Sequence, residues 1–300
     1  MTPRSNNKPN REITRVAVVT GSSSDIGFET ALLLARNGFH TYATMRNFEK
    51  SKRITKIANT EKLPLQVVQL DVNDDISVKN AINKIVGAAA EENKRIDALV
   101  NNAGYGLVGA FEDLSLEEIK AQFETNLFGV IRVTQQVLPV MRKQNSGDGG
   151  GTIVNVSSVG GRMGVPILSA YQSTKFALEG LSESMSYELE PFGIRVVIIE
   201  PGFIRTSIVN SSTSAQKALD PKSPYFPLMQ KVKNYFKSMI ENASSSSPPQ
   251  DVAKVILQAI TSKNPQLRYT VGNDAATIIQ ARMNMPDKEF QKMVIQNFSL

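Results

Sequence analysis

The stretch AVVTGSSSDIGFET, residues 17–30, passes from an apolar run through a loop of small residues into a segment of helical pattern. That order brings free amide N–H groups and the positive end of a helix dipole to a phosphate. Gly21 permits a tight turn after the strand and Gly27 permits close packing, with Ser23, Ser24, Asp25 and Ile26 between them. Asp25 stands where a dinucleotide loop would carry another glycine, so an anion is set beside the anions to be bound. Two readings are open at this point, a weakened phosphate cradle and a plain strand-to-helix turn. The cradle keeps its physical basis, because main-chain N–H groups do not depend on the side chain at residue 25 and aspartate tolerates positive φ.

Outward from this stretch, runs rich in valine and isoleucine recur at 16–20, 40–45, 66–70, 98–102, 152–157 and 195–200, with a seventh, RYTV, at 268–271. Segments of helical period lie between them, the clearest at 115–143 and 169–190. Ser169 and Gln172 have the spacing of a capping box at the start of the second, and Pro191 and Gly193 mark its end. Continuous apolar strands alternating with helices predict an α/β fold. The expectation is a single Rossmann-like domain over 15–300, a doubly wound parallel sheet of about seven strands with helices on both faces. Residues 1–14 read as a flexible tail, SGDGGG (146–151) as a loop and ASSSSPP (243–249) as a surface connection.

The 300 residues include no cysteine and one histidine, His40. Disulfides, thiolate nucleophiles and cysteine-held iron–sulfur clusters are excluded, and no metal site is expected. No stretch reaches the ~18 apolar residues of a membrane helix. The first residues lack the apolar core of a secretory signal, so a cytoplasmic location is expected. The net charge of +6 has its basic excess at 1–15 and 207–300, which reads as solvated surface, and nothing resembles a nucleic-acid module.

In an open α/β sheet, ligands gather at the carboxyl ends of the strands. After the second strand a carboxylate would accept hydrogen bonds from an adenosine ribose; here Arg46 follows Met45, which suits a 2′-phosphate and favours NADP(H) over NAD(H). Tyr171 and Lys175 stand one helical turn apart on one face. Taken alone, such a pair is ordinary helix surface. As a functional pair, the ammonium favours the phenolate and lowers a pKa otherwise near 10, so that the tyrosine exchanges protons near neutrality.

With these residues in place, the chain from about 15 to 206 resembles a classical short-chain dehydrogenase/reductase, closest in character to the 17-beta-hydroxysteroid and retinol dehydrogenase branch. TGSSSDIG matches the family's glycine-rich segment except at Asp25, and NNAG (101–104) matches its fourth-strand motif. YQSTK (171–175) matches its Tyr-x-x-x-Lys pair, and PGFIRT (201–206) the segment that holds the nicotinamide. The resemblance implies a catalytic tetrad of Asn126, Ser158, Tyr171 and Lys175. In it Tyr171 is the general acid/base, Lys175 lowers its pKa and grips the nicotinamide ribose, Ser158 hydrogen-bonds the substrate oxygen, and Asn126 holds a water in a relay to Lys175. It further implies cofactor contacts at Asp71 and Val72, at Asn102, Ala103 and Gly104, and at Pro201, Gly202, Ile204 and Thr206. The implied reaction is hydride transfer between nicotinamide and a carbinol or carbonyl carbon.

Residues 207–249 are expected to form a substrate lid. Within it, 223–240 places Met229, Val232, Phe236 and Ile240 at helical spacing with lysines elsewhere around the helix. An apolar, aromatic lid suits a lipophilic small molecule; packing on the core is the alternative, and contact with an anionic membrane a lesser one. The family's usual association surface implies a homodimer or homotetramer through helices 115–143 and 169–190. A second class of function is a cofactor-binding regulator on the same fold with turnover lost, Asp25 being its first sign.

Overall fold

The computed structural model describes residues 15–92, 94–144, 150–206, 212–242, 244–272 and 274–298. The expected tail at 1–14 and the start of the expected lid, 207–211, lie outside them. Strands β1 (Arg15–Val19), β2 (His40–Met45), β3 (Leu65–Gln69), β4 (Arg95–Asn101), β6 (Gly151–Val156), β7 (Ile194–Pro201) and β9 (Arg268–Val271) form one parallel sheet in the order β3-β2-β1-β4-β6-β7-β9. These are the seven runs legible in the sequence. β5 (Leu107–Val108) pairs with β8 (Thr213–Ser214) in a separate two-stranded ribbon.

Period-2 alternation sends successive side chains of each strand to opposite faces. Ala17 and Val19 of β1 join a core closed by α1 (Asp25–Arg36) and by a late helix, α8 (Pro249–Thr261). Val16 and Val18 join the opposite core, closed by α3 (Asp75–Glu91) and α5 (Gly129–Lys143). α2 (Lys52–Glu61) lies between β2 and β3, and α6 (Ser169–Leu189) between β6 and β7. Strand order reverses between β1 and β4, so a crevice opens at their carboxyl ends. His40 begins β2 at the opposite end and is buried, with Nδ1 2.7 Å from the Lys94 ammonium.

Three expectations need correction. The segment 115–143 is helical from 116 to 143 as expected, but not regular throughout: α4 (Leu116–Phe123) passes through a π-helical turn, Glu124–Phe128, into α5. Such turns hold one residue more than a regular helix turn, and the 3.6-residue period does not reveal them. Ser169 and Gln172 form no capping box. Leu168 is the N-cap residue, the Gln172 Oε1 accepts from the Val165 N–H at 2.9 Å, and the Ser169 hydroxyl is buried without a partner. A capping box does form at Ser115 and Glu118, where α4 begins. Finally, 244–249 is not a plain surface connection: Ser246 and Ser247 are buried, and the Ser247 carbonyl accepts from the Arg205 N–H at 2.8 Å. Serine's small side chain and hydroxyl let a polar loop pack there; the Ser246 hydroxyl donates to the Ile240 carbonyl.

Candidate active site

The carboxyl ends of the strands border one cleft of 1180 Å³. Its near wall is the loop 20–27. Gly21 has φ +68°, and a Cβ there would lie 2.8 Å from the Ala103 Cα. A Cβ on Gly27 would lie 2.4 Å from both the Gly21 carbonyl oxygen and the Asn102 Nδ2. The Asn102 amide donates to the Thr20 and Gly21 carbonyls at 3.0 and 3.1 Å, and the Thr20 hydroxyl accepts from the Asn102 and Ala103 N–H groups. The loop is thereby fastened to the end of β4, and Ser23, Ser24, Asp25 and Ile26 face the cleft. Asp25 has φ +52°, a conformation that glycine adopts more easily. Asp25→Gly is expected to relieve that strain in the fold and, by removing a like charge, to tighten NADP(H) several-fold, an effect on the order of 1 kcal/mol that shrinks with salt. Calorimetry of both proteins at two salt concentrations checks this; equal or weaker binding by the glycine variant refutes it.

Arg46 is exposed where β2 ends and borders the cleft together with Lys50. After β3, the Asp71 carboxylate accepts from the Asn73 N–H at 3.0 Å, and the buried Val72 packs on Gly129 while its carbonyl accepts from Arg132 at 2.6 Å. Gly104 abuts Asn126, where a Cβ would lie 3.1 Å from Oδ1. Asn126, in the π turn, is buried; its Oδ1 accepts from the Tyr105 N–H at 3.1 Å, and its Nδ2 donates to the Tyr105 carbonyl and the Thr174 hydroxyl at 2.9 and 3.3 Å. Its side chain ties the loop after β4 to α6.

Beyond β6, Ser158 is extended, with φ −173°, and its Oγ accepts from the Gly160 N–H at 3.0 Å. Ser158 and Tyr171 both line the cleft. One turn along α6, the Lys175 ammonium donates to the Val156 carbonyl at 2.8 Å and lies 5.8 Å from the centre of the Tyr171 ring. Burial pushes the Tyr171 phenol above its ordinary value, with the Ser158 hydroxyl acting against it. Burial also lowers Lys175 to about 8, opposed by the Glu179 carboxylate. The expected lowering of the phenol by Lys175 is thus not the dominant influence here, because the ammonium is held by a carbonyl and lies over the ring.

Pro201, Gly202, Phe203, Ile204 and Thr206 complete the floor beside β7. Gly202 lies against Asp274, whose carboxylate would be 2.4 Å from a Cβ and accepts from the Phe203 N–H at 2.9 Å. Thr206 folds back, its N–H donating to the Ile204 carbonyl at 2.8 Å. Asp274 was not legible as a site residue; the contact spans seventy-one positions and no local pattern marks it. The same holds for the ions beneath Lys175, where Arg268 bridges Glu179 at 3.0 Å and Glu183 at 2.6 Å, and Arg162 pairs with the buried Glu200 at 3.0 Å.

The far wall is apolar. Phe203, Tyr235, Phe236 and Phe298 stack obliquely, with Tyr235–Phe298 centroids 4.6 Å apart and Phe236–Phe298 5.7 Å apart. Tyr235 and Phe236 come from α7 (Phe226–Glu241), whose Met229 and Val232 are buried in the core beneath. Phe298 follows α10 (Asp287–Asn297), and Phe290 of α10, packed near α9 (Ala275–Asn284), lines the cleft too. The cleft exceeds the ~300–1,000 Å³ of an ordinary ligand site, leaving room for a dinucleotide with a second molecule beside it. A nicotinamide dinucleotide fits the residues present: a glycine-bearing loop before a helix N-terminus, a cation after β2, and a hydroxyl–phenol–ammonium group after β6. That last group can pass a proton to or from an oxygen and stabilise charge there. Among the described residues no cluster of three or more His, Asp or Glu could hold a metal ion, and no helix is long and apolar enough to cross a membrane.

The family described as short chain dehydrogenase matches residues 15–217. The uncharacterized oxidoreductase YusZ of Bacillus subtilis is 40% identical over 276 residues, 91% of this chain and 94% of its own. Retinol dehydrogenase 8 of Bos taurus is 39% identical over 270 residues, 85% of this chain and 80% of its own. The crystal structure of a short-chain dehydrogenase from Streptomyces avermitilis superposes with a TM-score of 0.76 at 28% identity, covering 95% of this chain and 98% of that one.

Proposed function

The chain belongs to the short-chain dehydrogenase family of NAD(P)-dependent oxidoreductases acting on CH–OH or C=O groups, and from that premise we propose that it works with NADP(H) on a lipophilic alcohol, ketone or aldehyde. The observation that carries the proposal is the convergence of Ser158, Tyr171 and Lys175 on a cleft whose far wall is aromatic. When bound, the nicotinamide supplies or accepts the hydride. The Tyr171 hydroxyl gives or takes the proton at the substrate oxygen, and the Ser158 hydroxyl, on the same cleft, stabilises charge developing there. Lys175, charged below about pH 8, holds the nicotinamide ribose. Asn126 keeps Tyr105 and α6 in place through both ends of its amide and takes part in a water relay to Lys175. The loop 21–27, with Asn102, Ala103 and Gly104, holds the pyrophosphate side, Asp71 and Val72 the adenine, and Pro201, Gly202, Ile204 and Thr206 the carboxamide.

Arg46 supports NADP(H): it is exposed at the cleft, where a 2′-phosphate would be met. A charge-assisted hydrogen bond contributes roughly 1.5–3 kcal/mol, about ten- to a hundredfold. NADPH is expected to bind tighter than NADH by that factor, and Arg46→Ala to bring the two close; finding NADH the tighter ligand of the wild type rejects this reading. The lipophilic substrate is supported by the aromatic wall and by the likeness to retinol dehydrogenase 8. A screen of lipophilic alcohols and ketones with NADP(H), followed by absorbance of the reduced nicotinamide, tests it, and turnover confined to small hydrophilic alcohols would overturn it.

Residues 207–249 act as a lid over the substrate in this reading. The protein works as a homodimer or homotetramer through α4, α5 and α6, where Leu116, Phe128, Phe176 and Tyr187 are exposed at 58, 47, 48 and 71%. Light scattering at micromolar concentration is expected to report the oligomer; a monomer refutes it.

A further inference from the structure

The lid helix carries one feature that a purely lipophilic substrate does not explain. Lys233 of α7 borders the cleft and is half-buried, yet among the described residues its ammonium contacts only a neutral group, the Ser214 hydroxyl of β8 at 2.9 Å. An ammonium has three donors, and removing its charge from water is costly unless an anion compensates. Lys237, the other lysine of α7 at the cleft, is exposed and 3.9 Å from the Glu241 carboxylate. The carboxylates lining the cleft lie elsewhere. Asp25 opens α1, Asp71 follows β3, and Glu124 is paired with Arg132 at 2.6 Å. The stretch 207–240 contains five lysines and a single acid, Asp220, so it offers little to neutralise Lys233. Around Lys233 the lining is polar, with Gln230, Asn234, Ser212 and Ser214, while Tyr235 and Phe236 on the same helix belong to the aromatic wall.

We infer that Lys233 is a specificity-determining residue that binds a carboxylate on the substrate, so that the enzyme acts on amphipathic, carboxylate-bearing lipid alcohols or ketones and not on wholly neutral ones. The apolar chain lies along Phe203, Tyr235, Phe236 and Phe298, and the carboxylate meets the Lys233 ammonium. This deepens the proposed function and rests on its placing of the substrate against the aromatic wall.

The test compares an unsaturated fluorescent fatty acid with its methyl ester as binding probes, and a series of oxo-octadecanoates with their methyl esters as substrates for NADPH-dependent reduction. Wild type is expected to favour the free acid by roughly ten- to a hundredfold in Kd. Lys233→Met is expected to level acid and ester, and Lys233→Arg to retain the preference. Ser214→Ala, which removes the hydrogen bond but leaves the ammonium, is expected to keep the preference, separating loss of charge from local misfolding. NADPH affinity is expected to stay the same in all three variants. A wild type that binds the ester as well as the acid overturns the inference. So does a preference that survives Lys233→Met, and so does a Lys233→Met protein whose defect is in NADPH binding, since the ammonium would then serve cofactor phosphate. If acid-selective, Lys233-dependent binding appears while no oxo acid or ester is reduced, the carboxylate site stands and the substrate reading of the cleft falls.

Discussion

Tyr171→Phe is expected to lower kcat by about 10²–10⁴-fold, the contribution of general acid–base catalysis, while NADP(H) binds as before. The ring that lies near the Lys175 ammonium remains, and only the hydroxyl is lost. The expected split is a fall in kcat with an unchanged cofactor Kd, read from single-turnover kinetics and fluorescence titration. More than about a tenth of wild-type kcat in a chemistry-limited step would remove Tyr171 from the proton transfer. A pH signature accompanies it. Burial favours neutral Lys175, so its charge is present below about pH 8 and is lost as the pH rises through that value. kcat/KM for the cofactor is accordingly expected to decline on the alkaline side of about 8, and a profile level to pH 10 would exclude charged Lys175 as the ribose ligand.

Gly27→Ala is expected to abolish tight NADP(H) binding and to lower thermal stability. The added methyl would meet the Gly21 carbonyl oxygen and the Asn102 amide at 2.4 Å, and a carbonyl in a fastened loop cannot rotate away as a side chain can. Overpacking of this kind costs typically about 1–3 kcal/mol, and here it falls on the clamp that holds the loop to β4, so affinity drops by about ten- to a hundredfold or more. Gly87→Ala in α3 is the control. Nothing lies within 4 Å of its Cβ position, and it is expected to raise stability by about 0.5–1 kcal/mol. A Gly27→Ala protein that binds NADPH like wild type would show that the loop yields where its packing says it cannot.

The strands were legible because each is a short run rich in β-branched or apolar residues, the central ones buried on both faces, and RYTV and HTYATM end at the residues the sequence suggests. The glycine-bearing loop 20–27 was legible as a linear motif, and Asp25 does adopt the positive φ that aspartate tolerates. Tyr171 and Lys175 were legible because four residues of helix place them together. The contacts that fasten these parts were not. Asn102 clamping the loop, Asp274 under Gly202 and Arg268 under Glu179 all join positions far apart in sequence, and each is an ordinary polar residue until the fold brings its partner. The balance of pKa influences was hidden as well, since spacing shows that Lys175 is near Tyr171 but not that its ammonium points to the Val156 carbonyl.

The π turn at 124–128 bears on which residue of this region the fold could lose. A wide turn accommodates one extra residue without rotating the helix beyond it, so α5 keeps Val130, Val133, Val137 and Met141 toward the sheet as though that residue were absent. Deleting a residue there would let α4 run into α5 as a regular helix with both packed faces kept, and the loss would fall on Asn126, whose amide would no longer meet Tyr105 and Thr174. The turn therefore spends one residue on aiming a side chain, and its removal would leave the Tyr105 N–H and carbonyl without their partner and uncouple the loop after β4 from α6.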